Sequence, residues 1–250
     1  MYDRQILTSE SMDPVKKESS RALRATKGTR SAILEAAEKL FARRGYAVTR
    51  LEDVGEAVGL TRPALFYHFQ DKQTLYKAVL EEAFRPLVTQ IDAAMSSSKP
   101  VAQRIEDAME AWVDGVATRP TLSRLILRHV ADSEEHPMQS LYPESDRFIS
   151  TAWTLVEQGI ASGELEPLHD DPFHVASAAI GTTVFYVNAL SVLIPTGSYD
   201  PLEPHQIAAH KKESLNTLRR LLGIKRRPVA SKPAPASKAV TKKKKATAAR

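Results

Sequence analysis

The sequence predicts an all-α chain: a small N-terminal three-helix unit that holds a helix-turn-helix, followed by a larger helical body. Three observations carry this prediction. Apolar residues recur at three- and four-residue spacing between residues 29 and 222, and strand-like alternation is absent. Proline and glycine fall at the ends of these patterns, as in Asp171-Pro172 at a start, Pro195 at a stop and Gly223 after the last one. Residues 51–72, LEDVGEAVGLTRPALFYHFQDK, read as two short helices joined by a tight turn.

Residues 1–26 mix Ser, Lys and Glu without apolar periodicity and are expected to form an irregular arm. Its Lys16, Lys17, Arg21 and Arg24 suit a neighbouring DNA groove as well as a merely solvated tail. The next segment, TRSAILEAAEKLFARRGY, places Ile33, Ala37, Leu40 and Phe41 at core spacing and ends at Gly45. The second helix runs from Leu51 to Val58, with Leu51, Val54 and Val58 on one face and Gly59 as its stop. Arg50 has no side-chain acceptor with which to cap that helix, so Thr49 is the expected cap. Gly55 inside the helix costs about 1 kcal/mol against alanine and is expected to admit another backbone.

Thr61 is the expected N-cap of the third helix, and Pro63 lies in its first turn, where a missing N–H costs nothing. Leu65, Phe66 and Phe69 supply its buried side, leaving Arg62, Ala64, Tyr67 and His68 facing outward. Phenol, imidazole and ammonium groups donate to phosphate oxygens, and the N-terminal end of such a helix reaches base edges in the major groove. The alternative is a solvated face on an ordinary helical hairpin. Asp71 then caps a fourth helix carrying Leu75, Val79, Phe84, Leu87, Val88 and Ile91, with Pro86 inside it favouring a kink that suits a lever between the two units.

On these strings, residues 29–77 resemble the DNA-binding domain of the TetR family of bacterial transcriptional regulators, and GLTRPALFYHFQDKQTLY matches its turn, recognition helix and start of helix four. The resemblance implies that Thr61, Tyr67, His68 and Lys72 bind phosphates of a double-stranded operator while Arg62, Pro63 and Ala64 lie nearest the bases. Two positions depart from the family pattern. Arg50 stands where Ser or Thr is usual and offers a phosphate contact of its own, and Gly55 stands where Ala is usual.

Beyond residue 100, helical patterns cover about 101–118, 120–133, 139–162, 171–194 and 204–222. The segment VASAAIGTTVFYVNALSVLI is apolar nearly all round and is expected to be buried on several sides. The resemblance implies that the last two helices pair with their copies in a homodimer, which would set two recognition helices about one DNA turn apart. Met109, Trp112, Phe148, Trp153, Phe185 and Tyr186 are the large groups expected to line an effector cavity, with Arg128 and Asn188 among the polar groups that fix a ligand's head. Arg124, His129 and Thr183 are further polar candidates. The ligand expected there is a small hydrophobic or amphipathic molecule.

The clusters Glu134-Glu135-His136 and His169-Asp170-Asp171-His174 match no ligand spacing, so no metal is expected. With no cysteine, no phosphate loop and no nucleophile elbow, neither a cofactor nor an enzyme is expected. The N-terminus lacks a signal-type apolar stretch, and no uninterrupted apolar run has the length of a membrane span; the expected setting is the cytoplasm.

Charge is segregated: the net value is +3 over 27–77, −9 over 78–223 and +10 over 224–250, where no acid occurs. An acidic body steers the basic ends toward DNA. The Lys/Ala/Pro-rich tail cannot fold alone; it is expected either to raise nonspecific DNA affinity or merely to solubilise. The domain reading is therefore 1–26 arm, 27–77 DNA-binding domain, 78–223 ligand-binding and dimerisation domain, 224–250 basic tail. The expected function is that of a ligand-released repressor on a palindromic operator, with repression implied by the resemblance alone. A tail-driven DNA-coating protein and a helical enzyme are the alternatives.

Overall fold

The computed structural model describes residues 14–132, 145–169, 171–194 and 199–224, with the backbone alone over 14–27 and at 145, 146, 148, 172 and 191. Among the described residues are nine helices and no strand. In chain order they are α1 (Pro14–Arg44), α2 (Leu51–Ala57), α3 (Arg62–His68), α4 (Lys72–Met95), α5 (Val101–Thr118), α6 (Pro120–Asp132), α7 (Ser145–Ala161), α8 (Pro172–Leu193) and α9 (Pro204–Leu221). The all-helical class read from the sequence holds.

The largest departure is at α1. Residues 14–26, expected to be part of an irregular arm, are helical and continuous with the rest of the helix. Pro14 sits at the start, where its fixed φ suits a first turn, and Ala, Arg, Lys and Leu that follow are good helix formers even without an apolar stripe. Residues 1–13, the basic tail from 225 and the Glu134-Glu135-His136 cluster lie outside the described residues.

Ile33, Ala37 and Phe41 of α1 are fully buried and close over Val54, Leu65, Leu75 and Val79. The same cluster continues along α4 through Leu80, Phe84, Leu87 and Ile91 into Met109, Val113, Leu122 and Leu125 of the body. A core spanning both units makes α4 a member of each, and the boundary expected between 77 and 78 falls inside that helix. Helix α5 is the hub of the body, packing on α4, α7, α8 and α9, while α6 lies along α1.

At the far end α9 stops at Gly223, whose φ is +60°. Glu166 N–H and Leu168 N–H donate to the carbonyls of Leu222 and Leu221, both at 2.9 Å, so the segment after α7 closes on the end of α9. A Cβ at position 223 would come within 1.9 Å of the Glu166 carbonyl oxygen. Gly223→Ala is therefore expected to lower the unfolding free energy by about 2–4 kcal/mol, from left-handed strain plus displacement of that backbone. Chemical denaturation with an unchanged midpoint would contradict this.

Helix α8 corrects one expectation. Its window Phe173–Leu190 is long and apolar enough to cross a membrane, at a mean hydropathy of 1.3, although the sequence contains no uninterrupted apolar run of that length. It is not buried on several sides within one chain. Val175, Thr183, Val184 and Val187 are covered, but Phe173, Ile180, Phe185, Val192 and Leu193 are exposed. One face packs on the body and the other is an apolar surface on the outside of the chain.

One buried and one half-buried histidine give the fold a pH dependence. His129 of α6 is 7% exposed, its ring stacked on Tyr76 with Nδ1 3.4 Å from the phenol oxygen. His210 of α9 stacks on Tyr186 at 4.0 Å between centroids, with Nε2 3.1 Å from Thr183 Oγ1. Burial pushes both imidazoles below the usual histidine value, Asp132 opposing it in part at His129. Because the folded values are depressed, the unfolded chain takes up these protons first. Stability should be full above the ordinary histidine value of about 6.5 and fall as pH drops through it. Denaturation midpoints at pH 7.5 and 5.5 are expected to differ in that direction; equal midpoints would refute it.

Candidate nucleic-acid interface

The turn between α2 and α3 is built from backbone contacts that only certain residues allow. Gly59 has φ +67°; its N–H donates to the Glu56 carbonyl at 3.2 Å, and Leu60 N–H donates to that of Gly55 at 2.8 Å. This is a Schellman closure, and it brings the Leu60 carbonyl oxygen within 3.1 Å of where a Cβ on Gly55 would lie. The glycine inside α2 thus admits the turn's own backbone.

The start of α2 corrects another expectation. Thr49 does not cap the helix: it is fully buried and donates its hydroxyl to the Gly45 carbonyl at 2.8 Å. Arg50 occupies the cap position, and Asp53 of the first turn accepts from the Arg50 backbone N–H at 3.1 Å while also holding Arg44 at 3.0 Å. A carboxylate one turn in does what the missing hydroxyl would have done. The Arg50 residue itself is exposed.

Helix α3 divides into a buried and an outer side partly as the sequence indicated: Leu65 and Phe69 are buried, Ala64, Phe66 and His68 are intermediate, and Thr61, Arg62 and Pro63 are exposed. Tyr67 is 80% exposed, edge-on to the His68 ring. Thr61 stands at the cap position with extended backbone, yet its hydroxyl makes no cap hydrogen bond and is left for another acceptor. Arg62 lies with its guanidinium carbon 5.3 Å above the Phe66 ring and its Nε 3.6 Å from Glu52 Oε1. Arg30 of α1 covers Phe69 in the same manner at 5.1 Å.

Asp71 caps α4 by accepting from Thr74 N–H at 2.6 Å, and that backbone bond holds its carboxyl below the usual range. Lys72 is less free than expected. Its ammonium donates to the carbonyls of Tyr46 and Ala47 at 2.9 and 3.1 Å and lies 4.3 Å from the centroid of the Tyr46 ring. Partial burial lowers its pKa. Two of its three N–H donors thereby hold the turn between α1 and α2 against the start of α4.

The eight residues expected around an effector lie in different settings. Met109 is core, and Trp153 packs at 5.3 Å against Phe173. Arg128 is exposed and reaches the Arg43 carbonyl at 3.2 Å, and Phe185 is exposed on α8. The Tyr186 hydroxyl pairs with that of Tyr199 at 2.9 Å, while Asn188 donates to the carbonyl of Val184 in its own helix. The Phe148 side chain lies outside the described residues. Two shallow grooves, of about 200 and 210 Å³, are lined by none of the eight. Trp112 differs from the others: among the described residues its Nε1 is buried and has no hydrogen-bond partner. In the histidine cluster, Asp171 uses its carboxylate to cap α8 through Phe173 N–H at 2.8 Å, and His169 Nδ1 accepts from Asp171 N–H at 3.1 Å.

Sequence reasoning passed over Glu38, a carboxylate on the buried side of α1 that is only 7% exposed and is held by Arg119 and Thr121. The signal was present: Glu38 follows Leu34 by four and precedes Phe41 by three, which is core spacing.

The family model for bacterial regulatory proteins of the tetR family matches residues 33–79, from the second half of α1 into α4. Among curated relatives, the HTH-type transcriptional regulator RutR of Escherichia coli K12 is 27% identical over 165 residues, 66% of this chain and 76% of that one. The HTH-type transcriptional activator FasR of Mycolicibacterium smegmatis is 31% identical over 100 residues, 40% of this chain and 46% of that one. The crystal structure of AibR in complex with isovaleryl coenzyme A and operator DNA shares the fold, with a TM-score of 0.58 at 16% identity over 75% of this chain and 96% of that one. Residues 33–79 thus match the DNA-binding domain of the tetR family of bacterial regulatory proteins, and the nine described helices share the fold of solved TetR-family regulators.

Proposed function

We propose that the protein is a repressor that binds a two-fold symmetric operator as a homodimer, works in the cytoplasm and is released from DNA by a small hydrophobic or amphipathic effector. The observation that carries this reading is the outer face of α3, where Thr61, Arg62, Pro63 and Tyr67 are exposed on a helix fixed from behind by Leu65 and Phe69. In this reading Arg50, Thr61, Tyr67, His68 and Lys72 hold phosphates, and Arg62, Pro63 and Ala64 read the bases. Residues 27–77 act as the DNA-binding domain and 78–223 as the regulatory one.

The exposed apolar side of α8 supports the dimer. A helix of this hydropathy standing open to water is unfavourable, and a second copy would cover Ile180, Phe185 and Val192 across a two-fold axis, with α9 beside it. The buried, unpartnered indole N–H of Trp112 supports an effector with a hydrogen-bond acceptor, since such a donor costs free energy until it is paired. An acyl or aromatic acid has that chemistry, and the AibR structure holds an acyl thioester in a protein of this fold.

The test is transcription in vitro from a promoter fragment that the purified protein retains. Transcript is expected to fall as protein is added and to return when the effector is supplied from a panel of acyl thioesters and aromatic acids. Transcript that is unchanged or increased would overturn repression, and FasR, an activator, marks that outcome within the family.

A further inference from the structure

Arg119, at the junction of α5 and α6, has a single guanidinium that touches two other helices, α1 and α4. Its Nε donates to Glu38 Oε1 at 3.0 Å and its Nη2 to Glu38 Oε2, so the α1 carboxylate is held in the two-pronged geometry that only arginine offers. Thr121, at the start of α6, donates to the same Glu38 Oε1. The remaining terminal nitrogen, Nη1, faces α4, with the carbonyls of Glu82 and Ala83 at 3.5 and 3.3 Å. Glu82 lies four residues before Pro86, so its carbonyl is the one the proline leaves without a helical N–H. Arg119 therefore fills the gap that Pro86 opens in the connector while it grips the helix that carries the DNA-binding unit.

The other end of α6 holds α1 as well. Asp132 Oδ2 accepts from Tyr46 N–H at 2.7 Å, and Arg128 donates to the Arg43 carbonyl. The 13 residues of α6 thus lie along α1 and are tied to it at both ends. The tie through Arg119 also includes the connector at Pro86, while at the other end His129 of α6 rests on Tyr76 near the start of α4. Any change in how α4 leaves the body must alter that tie or carry α1 with it.

We infer that Glu38, Arg119 and Thr121 form a positioning clamp that fixes how the DNA-binding unit is carried on the body, and so sets the spacing between half-sites that the protein accepts. The inference rests on the dimeric operator reading given above. It assigns these residues no contact with DNA. Base preference within each half-site belongs to α3, and the clamp governs only the distance and phase between two such helices.

The test is selection from a DNA library in which two half-sites, taken from the sequence the full-length protein enriches, are separated by a randomised spacer length. The wild type is expected to favour one length. Glu38→Gln and Arg119→Lys keep size or charge but lose the two-pronged pair. They should reduce the preference for that length over its neighbours by about tenfold, the scale of coupling within a hydrogen-bonded network, with half-site bases unchanged. Pro86→Ala, which restores the N–H for Glu82, should move the favoured length. Lys39→Gln, on the exposed side of α1, should leave it alone. Thermal melting is read in parallel, because a merely structural pair would lower the melting point without touching the spacer. If either clamp variant folds cooperatively and keeps the wild-type spacer with undiminished preference, the clamp is overturned as a positioning device. Should Glu38→Gln fail to fold, Thr121→Val carries the same test. If the wild type itself enriches only single half-sites, the dimeric operator reading falls and the inference falls with it; retention of paired half-sites separates the two failures.

Discussion

Truncating Phe41 to alanine is expected to lower the unfolding free energy by about 3–5 kcal/mol, the range for removing a buried aromatic ring from a core that cannot collapse around the gap. Phe41 is fully buried, edge-on to Tyr76 at 4.8 Å between centroids and stacked with Tyr46 at 6.1 Å. These rings join the end of α1, the turn after it and the first turns of α4, and Tyr76 in turn lies against His129 of α6. The cavity would thus sit where the DNA-binding unit meets the body. Equilibrium denaturation should show the loss, and DNA affinity should fall with the folded fraction. A loss below about 1 kcal/mol would mean that the aromatic cluster is not the keystone of this unit.

The second large effect concerns DNA. Tyr67→Phe and Lys72→Ala are each expected to weaken binding to specific and random DNA alike, by about 1–2 kcal/mol per half-site. Over two half-sites that is about 2–4 kcal/mol, or roughly 30- to 1,000-fold in dissociation constant. Tyr67 has only its hydroxyl to lose, and no neighbour packs on its 80% exposed side chain tightly enough to confuse the result with folding. Lys72 is a harder case because its ammonium already holds the Tyr46 and Ala47 carbonyls. The dependence of affinity on salt separates its two roles. Losing a phosphate contact lowers the slope by about one unit per half-site, whereas loosening the turn lowers affinity with the slope unchanged. Unchanged affinity in both variants would remove this face from the DNA.

The helix-turn-helix was legible in the sequence because its determinants are local. Gly59 stops α2, Thr61 and Pro63 start α3, and Asp71 caps α4, each within a few residues of what it controls. The failures arose where the partner is distant or where two local devices compete. Thr49 looked like a cap, but its hydroxyl is drawn to Gly45, and Asp53 caps Arg50 from inside the helix. The start of α1 carries no amphipathic periodicity to announce it; good helix formers continuous with the rest of the helix make residues 14–26 helical. Whether a large side chain lines a space or fills one depends on long-range packing that no local pattern displays; Met109 lies in the core and Phe185 on the surface. The clamp at Glu38 shows the converse. A charge at core spacing was visible in the sequence, but its partner is 81 residues away and no local pattern names it.

Sequence-specific binding by α3 competes with one other mode, a coating of DNA driven by the ten cations of the tail. Genomic fragments should be selected with the purified full-length protein near physiological salt, in parallel with a chain ending at Gly223. Both are expected to enrich the same short two-fold symmetric sequence, the shorter chain with lower overall affinity and a shallower salt dependence. Loss of all binding with the tail, and no shared motif beforehand, would contradict it.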